Sequence, residues 1–238
     1  MAKQKRILVF IPCYNEKKNI KKLVFKIKKN LPKAFILIID DNSPDQTSKV
    51  VKKLQKKISK LNLIVREKKL GLDTAHKTAY EYAIQSRYDY LITMDADLSH
   101  DPKELKNFVI NLKKNPFVIG SRYMSGGKSL MVGYRLLMSR MGNLVIKFFS
   151  GIDCNEFTTS YRGFDIKKLK NFNLNYVKET GYSFFMGTIF EINKKKINIK
   201  EIPIIFTDRE QGVSKIPKLE LLRTLKNLFI FVLKKNIA

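Results

Sequence analysis

Residues 6–13 read RILVFIPC, and this nearly continuous apolar run decides the fold. Runs of this length without polar alternation are typical of parallel strands that are buried on both faces. The run ends at Asn15-Glu16, and residues 17–30 then carry apolar side chains at helical spacing. A buried strand followed at once by an amphipathic helix begins a β-α-β unit. The N-terminal segment therefore predicts an α/β fold on a parallel sheet.

The alternation of strand and helix continues as far as residue 120. The sequence predicts further strands at 34–39, 61–66, 88–94 and 117–120, with helices at 46–60, at 74–86 and after Pro102. This order predicts a doubly wound, Rossmann-like, mostly parallel central sheet with flanking helices. Ligands of such sheets bind beyond the carboxyl ends of the strands.

The second half of the chain breaks this alternation. We predict a helix at 134–150, a strand pair or bent strand at 197–206 and an amphipathic helix at 217–235. We therefore expect a catalytic domain with peripheral amphipathic helices. Its bounds are 1–216, with an interfacial helix at 133–150 inside it, and the C-terminal helix occupies 217–238.

Composition restricts the class of protein. The chain has 238 residues, 44% of them hydrophobic, which suits one domain with a sizeable core. Cys13 and Cys154 lack the spacing of a zinc site or a disulfide framework, and they fit a reducing cytosol. We expect no transmembrane helix and no signal peptide, because no apolar run approaches about 18 residues and residues 7–13 are too few for a signal core.

The formal net charge of +26 demands an explanation. Nucleic-acid binding would concentrate arginine-rich charge in a stripe, whereas an anionic membrane surface would attract lysines on amphipathic helices. Most basic residues are lysines, and they are scattered along most of the predicted helices. This distribution favours a solvated surface first and membrane attraction second. A basic nucleic-acid-binding protein is a remote alternative, and we expect no nucleic acid as a partner.

Asp95-Ala96-Asp97 directly follows the predicted strand at 88–94. Two carboxylates at positions i and i+2, where a buried strand opens, can share one hard cation such as Mg²⁺ or Mn²⁺. A divalent cation at this place would also neutralise the charge of a leaving nucleoside diphosphate. The small Ala96 leaves room for a substrate beside the backbone. An acidic turn that caps the next helix is the alternative, and the motif alone does not exclude it.

Polar residues also follow the first two strands. Asp40 and Asp41 can accept hydrogen bonds from a base or a ribose, or they can cap the next helix. Tyr14 can stack on a base, and Glu16 can bind the ribose or the edge of the base. Each signal is weak by itself.

Three cations are candidates for phosphate contacts: Arg122, Arg209 and Lys215. Arg122 follows the strand at 117–120, and the other two bracket a turn at Gly212. Solvated surface charge is the alternative for each. His76 and His100 lack metal-ligand spacing, so we interpret both as structural, with a minor site role open for His100.

Taken together, these motifs resemble the family 2 glycosyltransferases, and within them the dolichyl- or polyprenyl-phosphate mannosyltransferases. The resemblance covers roughly residues 6–216. It is carried by IPCYNE (11–16), IDDNSPD (39–45), KLGL (69–72), MDADLSHDP (94–102), IGSRY (119–123), GY (181–182), PIIF (203–206) and DREQGVSK (208–215).

The resemblance implies a GT-A fold and a nucleotide-sugar donor, usually GDP-mannose. It implies that Asp95 and Asp97 hold Mg²⁺ or Mn²⁺ with Ser99 nearby, and that Asp97, Arg122 and Arg209 act in catalysis. The nucleotide-sugar-binding set that it implies is Pro12, Tyr14, Glu16, Asp40, Asp41, Asp95, Ala96, Asp97, Arg122, Arg209 and Lys215.

Three places depart from the family pattern. Asp73 stands where the second glycine of Gly-Leu-Gly is usual, and residues 185–187 (FMG) stand where Gln-x-Glu is common. Residues 157–162 (FTTSYR) replace a Cys-Thr-Ser-Gly-Phe-Arg pattern. We expect these changes to lie on the sugar and acceptor side and not to bear on the metal motif.

The resemblance implies inverting, metal-dependent transfer of a hexose, mannose in the usual case, to a polyprenyl or dolichyl phosphate. A phosphate acceptor is already anionic near neutral pH, so it needs cations to orient it more than it needs a strong base. Glycine at position 187, in place of the family's glutamate, is therefore compatible with transfer to a phosphate. A family 2 enzyme with a sugar or glycan acceptor remains the alternative, although residues 185–187 offer no base for it. A nucleotidyltransferase of similar fold would need a glycine-rich basic loop, which residues 12–18 lack.

The helices at 134–150 and 217–235 combine basic residues with large apolar ones. This mixture suits helices that lie on an anionic membrane surface, and core packing against the sheet is the alternative. We therefore expect a peripheral protein on the cytoplasmic face of the membrane. The expected partners are a nucleotide sugar, a polyprenyl phosphate, an anionic membrane surface and a membrane protein.

Overall fold

The computed structural model describes residues 4–208 and 220–237 of the chain. Its first half alternates strands and helices, as predicted. The elements are β1 (Ile7–Cys13), α1 (Ile20–Asn30), β2 (Phe35–Asp40), α2 (Thr47–Gln55), β3 (Leu61–Val65), α3 (Leu72–Gln85), β4 (Tyr90–Thr93), a 3-10 turn (Pro102–Glu104), α4 (Leu105–Leu112) and β5 (Phe117–Ser121).

The second half contains elements that the sequence pattern did not indicate, among them β7 and α6. The elements are β6 (Lys128–Ser129), α5 (Gly133–Ser150), β7 (Arg162–Asp165), a 3-10 turn (Leu174–Tyr176), α6 (Ser183–Lys194), β8 (Ile199–Pro203), β9 (Ile205–Phe206) and α7 (Glu220–Ile237). The helix predicted at 134–150 and the strand pair near Pro203 are confirmed. Helix α6 escaped prediction because nine of its twelve residues are buried, which leaves no polar face to mark a helical period.

The main sheet has the order β3-β2-β1-β4-β7-β5-β8. All neighbours pair in parallel except β7, which runs antiparallel between β4 and β5. The mostly parallel sheet that the sequence predicted is confirmed, with one reversed strand between β4 and β5. Because Arg162, the first residue of β7, pairs with Thr93 near the end of β4, the residues before β7 arrive at the carboxyl edge of the sheet.

Two hydrophobic clusters cover the two faces of the sheet. Leu8 and Phe10 of β1 face the cluster that contains α3 and α6, whereas Val9 and Ile11 face the cluster that contains α1, α2 and α4. Successive side chains of a strand point to opposite faces, so a strand with both faces covered must be apolar throughout. This is the physical reason for the unbroken run at 6–13.

The C-terminal helix packs on α6. The rings of Phe231 and Phe190 stack with centroids 3.7 Å apart, Leu228 is buried, and the hydroxyls of Thr224 and Ser183 lie 3.3 Å apart. Within the described ranges, no helix combines the length and the apolarity that a membrane span would need.

Candidate active site

The carboxylate pair predicted to bind metal lies in the turn that follows β4. Asp97 is buried, and its Oδ1 accepts hydrogen bonds from the backbone N–H (3.1 Å) and the hydroxyl (2.6 Å) of Ser99. The side chain of Asp95 is 34% exposed, and its Oδ1 accepts a 2.5 Å hydrogen bond from the hydroxyl of Ser160. Each carboxylate is therefore oriented by a neighbouring hydroxyl, and Asp95 remains accessible to a ligand.

His100 fixes the backbone of this turn. Its Nδ1 accepts a hydrogen bond from the backbone N–H of Asp95 at 3.1 Å, and its Nε2 lies 3.3 Å from the hydroxyl of Thr159. Its ring stacks on Tyr161 with centroids 4.8 Å apart. Burial lowers the pKa of His100, so the imidazole is neutral, and because Nδ1 accepts, Nε2 carries the proton. The structural interpretation of His100 is supported.

The residues of this turn fit a divalent cation that a diphosphate helps to hold. In the part of the chain that the structure describes, no group of three or more His, Cys, Asp or Glu side chains is arranged to hold a metal alone. Mg²⁺ sites commonly use one or two carboxylates, with phosphates and water completing the shell. Asp95 and Asp97 supply such a pair. The hydroxyl of Ser99 orients Asp97 in this structure, and its direct coordination stays a prediction.

Asp40 and Asp41 lie at the end of β2, which β1 separates from β4 in the sheet, and they differ in their contacts. Asp40 is fully buried and accepts hydrogen bonds from the backbone N–H (3.1 Å) and hydroxyl (2.5 Å) of Ser43, so it holds the turn before α2. Asp41 forms an ion pair with Arg66, and its Oδ2 accepts a 3.2 Å hydrogen bond from the N–H of Leu70. The sequence left open that Asp40 caps the next helix; the structure instead shows it forming the turn at Ser43, because α2 begins only at Thr47 with Gln46 as its N-cap residue.

Arg66 was not singled out in the sequence, yet it connects two parts of this edge. In addition to its ion pair with Asp41, it donates hydrogen bonds to the hydroxyl of Thr74 (2.6 Å) and the carbonyl of Gly71 (2.9 Å). It therefore fixes the strand-end carboxylate of β2 to the start of α3. The available signal was an arginine at the end of β3, the neighbour of β2 in the sheet.

The remaining predicted nucleoside residues lie at the end of β1. Pro12 pairs with Ile39 of β2, which brings the loop after β1 beside the loop after β2. Glu16 is buried and accepts a 2.8 Å hydrogen bond from the amide of Asn19, and the ring of Tyr14 lies 4.5 Å from Lys69 Nζ. The carboxyl edge thus brings together the predicted groups of β1, β2 and β4.

Arg122 forms a buried ion pair with Glu156. Its Nε and Nη2 donate to the two oxygens of Glu156 at 2.6 and 2.7 Å, and Nη2 also donates to the hydroxyl of Thr158 at 2.8 Å. Burial opposes ionisation of Glu156, but the charge of Arg122 and hydrogen bonds from Arg122 and Thr158 hold its pKa below the ordinary value. The cation predicted to clamp a phosphate is thus the partner of a carboxylate, and phosphate contact by Arg122 stays a prediction.

The segment at 157–162 contacts the metal motif. Ser160 donates to Asp95, and Thr159 contacts His100, as described above. Beneath them Arg162 is buried and donates to the carbonyls of Thr159 (2.8 Å) and Phe157 (3.0 Å), and burial lowers its pKa to about 9. The expectation that this departure does not bear on the metal motif is wrong, because the antiparallel β7 brings the segment to the end of β4.

Two predicted residues, Arg209 and Lys215, lie outside the described residues. Asp208, immediately before them, forms an exposed ion pair with Arg135 of α5 at 3.3 Å. Asp73 lies on the first turn of α3, where its Oδ1 accepts a 3.0 Å hydrogen bond from the N–H of Gly181. A buried carboxylate thus connects α3 to the loop before α6.

Comparison with known proteins gives consistent results. The model for "Glycosyl transferase family 2" matches residues 8–196. A polyprenol monophosphomannose synthase of Mycolicibacterium smegmatis is 32% identical over 214 residues, which are 89% of this chain and 81% of that protein. An undecaprenyl-phosphate mannosyltransferase of Micrococcus luteus is 30% identical over 89% of this chain and 87% of that protein.

Solved structures share the fold. Glucosyl-3-phosphoglycerate synthase from Mycobacterium tuberculosis, in complex with UDP, matches with a TM-score of 0.64 and 16% identity over 97% of this chain and 79% of that chain. A mannosyltransferase from Pyrobaculum calidifontis, in complex with GDP-Man and Mn²⁺, matches with a TM-score of 0.64 and 16% identity over 99% and 65% of the two chains. These similarities confirm the predicted GT-A fold.

Proposed function

The chain belongs to glycosyl transferase family 2 and is a glycosyltransferase, and from this premise we propose that it transfers mannose from GDP-mannose to a polyprenyl phosphate. The observation that carries the proposal is the Asp95–Asp97 pair, oriented at the same carboxyl edge of the sheet as Asp41. The names of the two curated relatives, both mannose-transferring enzymes of prenyl phosphates, supply the substrate classes.

The donor would lie across the carboxyl edge of the sheet. Asp41, held by Arg66 and Leu70, would accept hydrogen bonds from the nucleoside, with Pro12, Tyr14 and Glu16 beside it. Asp95 and Asp97 would hold Mg²⁺ or Mn²⁺, which when bound neutralises charge on the diphosphate. Arg209 and Lys215 stay predicted contacts of the diphosphate or the acceptor phosphate.

The reaction would be an inverting single displacement. An oxygen of the acceptor phosphate forms a bond to the anomeric carbon of mannose as the bond from that carbon to the diphosphate breaks, releasing GDP. The acceptor is already anionic near neutral pH, so no protein group must remove a proton. The task of the protein is to hold donor and acceptor in line, and a carboxylate network built on Ser99, Ser160 and His100 suits that positioning role.

Helix α5 has an apolar stripe on its solvent side, and we propose that this stripe faces the membrane. Its large exposed side chains recur at helical spacing: Tyr134, Leu137, Met141, Leu144 and Phe148. Tyr134 is 73% exposed and Phe148 is 81% exposed. The buried side of α5 is instead partly polar, since Asn143 accepts a 2.7 Å hydrogen bond from the N–H of Phe157. This inverted pattern argues against the alternative that the large apolar groups of α5 pack in the core.

Helix α7 extends this surface. It contacts α5, and its Phe229 and Leu233 are exposed while Leu228 is buried. Exposed Arg135 and Arg140 lie on α5 among the apolar groups, which suits an anionic lipid surface. We also propose that the C-terminal helix (217–238) is an appendage of the catalytic domain (1–216). The buried free thiols of Cys13 and Cys154 fit the proposed cytoplasmic face. A membrane-protein partner stays a prediction.

The proposed reaction is tested by incubating the protein with a polyprenyl phosphate, radiolabelled nucleotide sugars and either Mn²⁺ or Mg²⁺. We expect labelled glycolipid with GDP-mannose. Comparing the activity with Mn²⁺ to that with Mg²⁺ shows which metal the enzyme prefers. Free sugars and glycans compete in parallel, so that labelled glycan in place of glycolipid identifies the alternative acceptor. If no donor yields a labelled glycolipid, the proposal is refuted.

The proposed membrane surface is tested by flotation with vesicles of anionic lipid at low salt. We expect the wild type to float and Phe148→Asp to stay in the soluble fraction, because a charge would enter the apolar stripe. Phe25→Asp is the matched control, since Phe25 is an exposed aromatic residue on α1. Equal flotation of the two variants would contradict the assignment of α5.

A further inference from the structure

Glu179 lies in the loop before α6, and this loop is anchored on both sides of it. On one side, the carbonyl of Val177 accepts a 2.7 Å hydrogen bond from Lys77 Nζ. On the other side, the N–H of Gly181 donates to Asp73 at 3.0 Å. Both anchors belong to α3. The backbone that carries Glu179 is therefore fixed against the first half of that helix.

The side chain of Glu179 has a place shaped for it on α6. A Cβ added to Gly187 would collide with Oε2 of Glu179, would lie 2.7 Å from its Cδ, and would lie 3.0 Å from Cγ1 of Val177. Glycine inside a helix costs about 1 kcal/mol relative to alanine. Here the missing side chain leaves room for the carboxylate of Glu179, so glycine at 187 has a steric reason.

This carboxylate makes no hydrogen bond and no ion pair with any residue that the structure describes, although the chain carries a net charge of +26. The side chain is half-buried. Fixing a carboxylate in a half-buried position without a partner is unfavourable, because the group loses part of its hydration. The arrangement is explained when a ligand supplies the hydrogen bonds.

The position of Glu179 relates it to the donor. Helix α3 starts at Leu72 beside Gly71 and Leu70, which contact Arg66 and Asp41 of the proposed nucleoside pocket. Helix α6 precedes β8, which is parallel to β5, so α6 also starts at the carboxyl edge of the sheet. Glu179 is held between the N-terminal halves of these two helices, which begin at the edge of the sheet that also carries the proposed nucleoside and metal residues.

We propose that Glu179 is a specificity-determining residue that accepts hydrogen bonds from hydroxyl groups of the transferred hexose, and that Gly187 keeps its carboxylate in place. The inference rests on the proposed function and identifies a side chain that recognises the transferred hexose. A carboxylate repels the diphosphate and the acceptor phosphate by like charge. The nucleoside and the hexose both carry uncharged hydrogen-bond donors, and Asp41 is already proposed for the nucleoside. The hexose hydroxyls are the remaining donors, and a carboxylate accepts strongly from them.

The test compares the affinity of GDP with that of GDP-mannose in the presence of Mn²⁺, by calorimetry on the whole protein. GDP lacks the hexose, so it serves as the internal control for folding, metal and nucleoside binding. The variants are Glu179→Gln, Gly187→Ala and the matched control Glu191→Gln, which changes a glutamate near the end of α6. A fourth variant, Glu179→Ala with Gly187→Asp, returns a carboxylate to the same space from the helix.

We expect Glu179→Gln to weaken GDP-mannose about tenfold or more and to leave GDP unchanged, as for loss of a hydrogen bond to a charged group. Gly187→Ala should do the same, because its Cβ displaces the carboxylate. The combined Glu179→Ala and Gly187→Asp variant should bind GDP-mannose more tightly than Glu179→Ala alone. Derivatives of GDP-mannose that each lack one hydroxyl of the mannose should then identify the hydroxyl that Glu179 contacts. The derivative without that hydroxyl should bind wild type and Glu179→Gln with equal affinity.

If Glu179→Gln binds GDP-mannose as tightly as Glu191→Gln does, the inference is overturned. The proposed function fails by a different result, namely wild type that forms no glycolipid with polyprenyl phosphate. Should GDP-mannose bind wild type no better than GDP, the comparison is repeated with UDP-glucose against UDP. Indifference of Glu179→Gln to every hexose tried would also refute the inference.

Discussion

The buried ion pair between Arg122 and Glu156 gives a quantitative prediction for stability. Glu156 is fully buried, and its oxygens accept from Arg122 at 2.6 and 2.7 Å and from Thr158 and Thr159 at 2.9–3.2 Å. Glu156→Gln keeps the shape of the side chain but removes its charge. The NH₂ group of the glutamine would also face hydrogen-bond donors that the carboxylate now accepts from. Arg122, only 8% exposed, is then a buried cation without its counter-charge.

Removing one partner of a buried ion pair costs about 3–5 kcal/mol. For a chain of this size, each kcal/mol lowers Tm by about 2–4 °C. We therefore expect Glu156→Gln to lower Tm by about 6–20 °C. The double variant Arg122→Met with Glu156→Leu should recover part of this loss, because neither charge remains buried. Calorimetric melting and urea unfolding measure the change.

The matched control is Asp208→Asn, which breaks the pair between Arg135 and Asp208. Those side chains are 54% and 44% exposed, and exposed pairs contribute about 0–1 kcal/mol. We expect Tm to change by no more than about 4 °C. If Glu156→Gln lowers Tm no more than Asp208→Asn does, the reasoning from burial is refuted.

Three further predictions concern the metal, the nucleoside and pH. Asp97→Asn should reduce the rate of transfer by about 100-fold or more without lowering Tm, because a metal stabilises transition-state charge by several kcal/mol. Activity near that of wild type would exclude Asp97 as a metal ligand. Arg66→Lys should raise the KM for the nucleotide sugar about tenfold, since lysine lacks the guanidinium group that reaches Asp41, Thr74 and Gly71 at once. An unchanged KM would show that Asp41 does not contribute to nucleoside binding. Burial and the charge of Arg162 lower the pKa of His76 to about 3, so below pH 6.5 the unfolded chain binds the extra proton. Because of His76, the free energy of unfolding should fall by up to about 1.4 kcal/mol per pH unit from pH 6.5 toward 3. Urea unfolding of His76→Leu should show a smaller dependence of this free energy on pH. An identical dependence in both proteins would contradict a buried, neutral His76.

The first half of the fold was predictable because its information is local. Each strand of the parallel sheet is buried on both faces, so its sequence is an apolar run, and each connecting helix has one polar face. β7 gave no such signal, because RGFD is four residues long and contains an arginine. The strand is defined by its pairing with β4 and β5, which lie far before it in the sequence.

The candidate site divides in the same way. The carboxylates at 41, 95 and 97 were predictable, because they stand where apolar runs end and because parallel strands end at one edge. Their supports were not predictable: Arg66, Ser160 and Glu156 lie 25, 65 and 34 positions from Asp41, Asp95 and Arg122. Pairings over such separations depend on which strand lies beside which.

The sequence by itself therefore determined the fold class, the edge of the sheet proposed to bind ligands and the carboxylates that stand there, since all three follow from local patterns of polarity. Only the tertiary structure decided which charges are already paired and which are not. Arg122 proved to be paired with Glu156, whereas Glu179 proved to have no partner in the described part of the chain. The physical reason is that a charge is neutralised by its neighbours in space, and the antiparallel β7 and the steric gap at Gly187 select those neighbours.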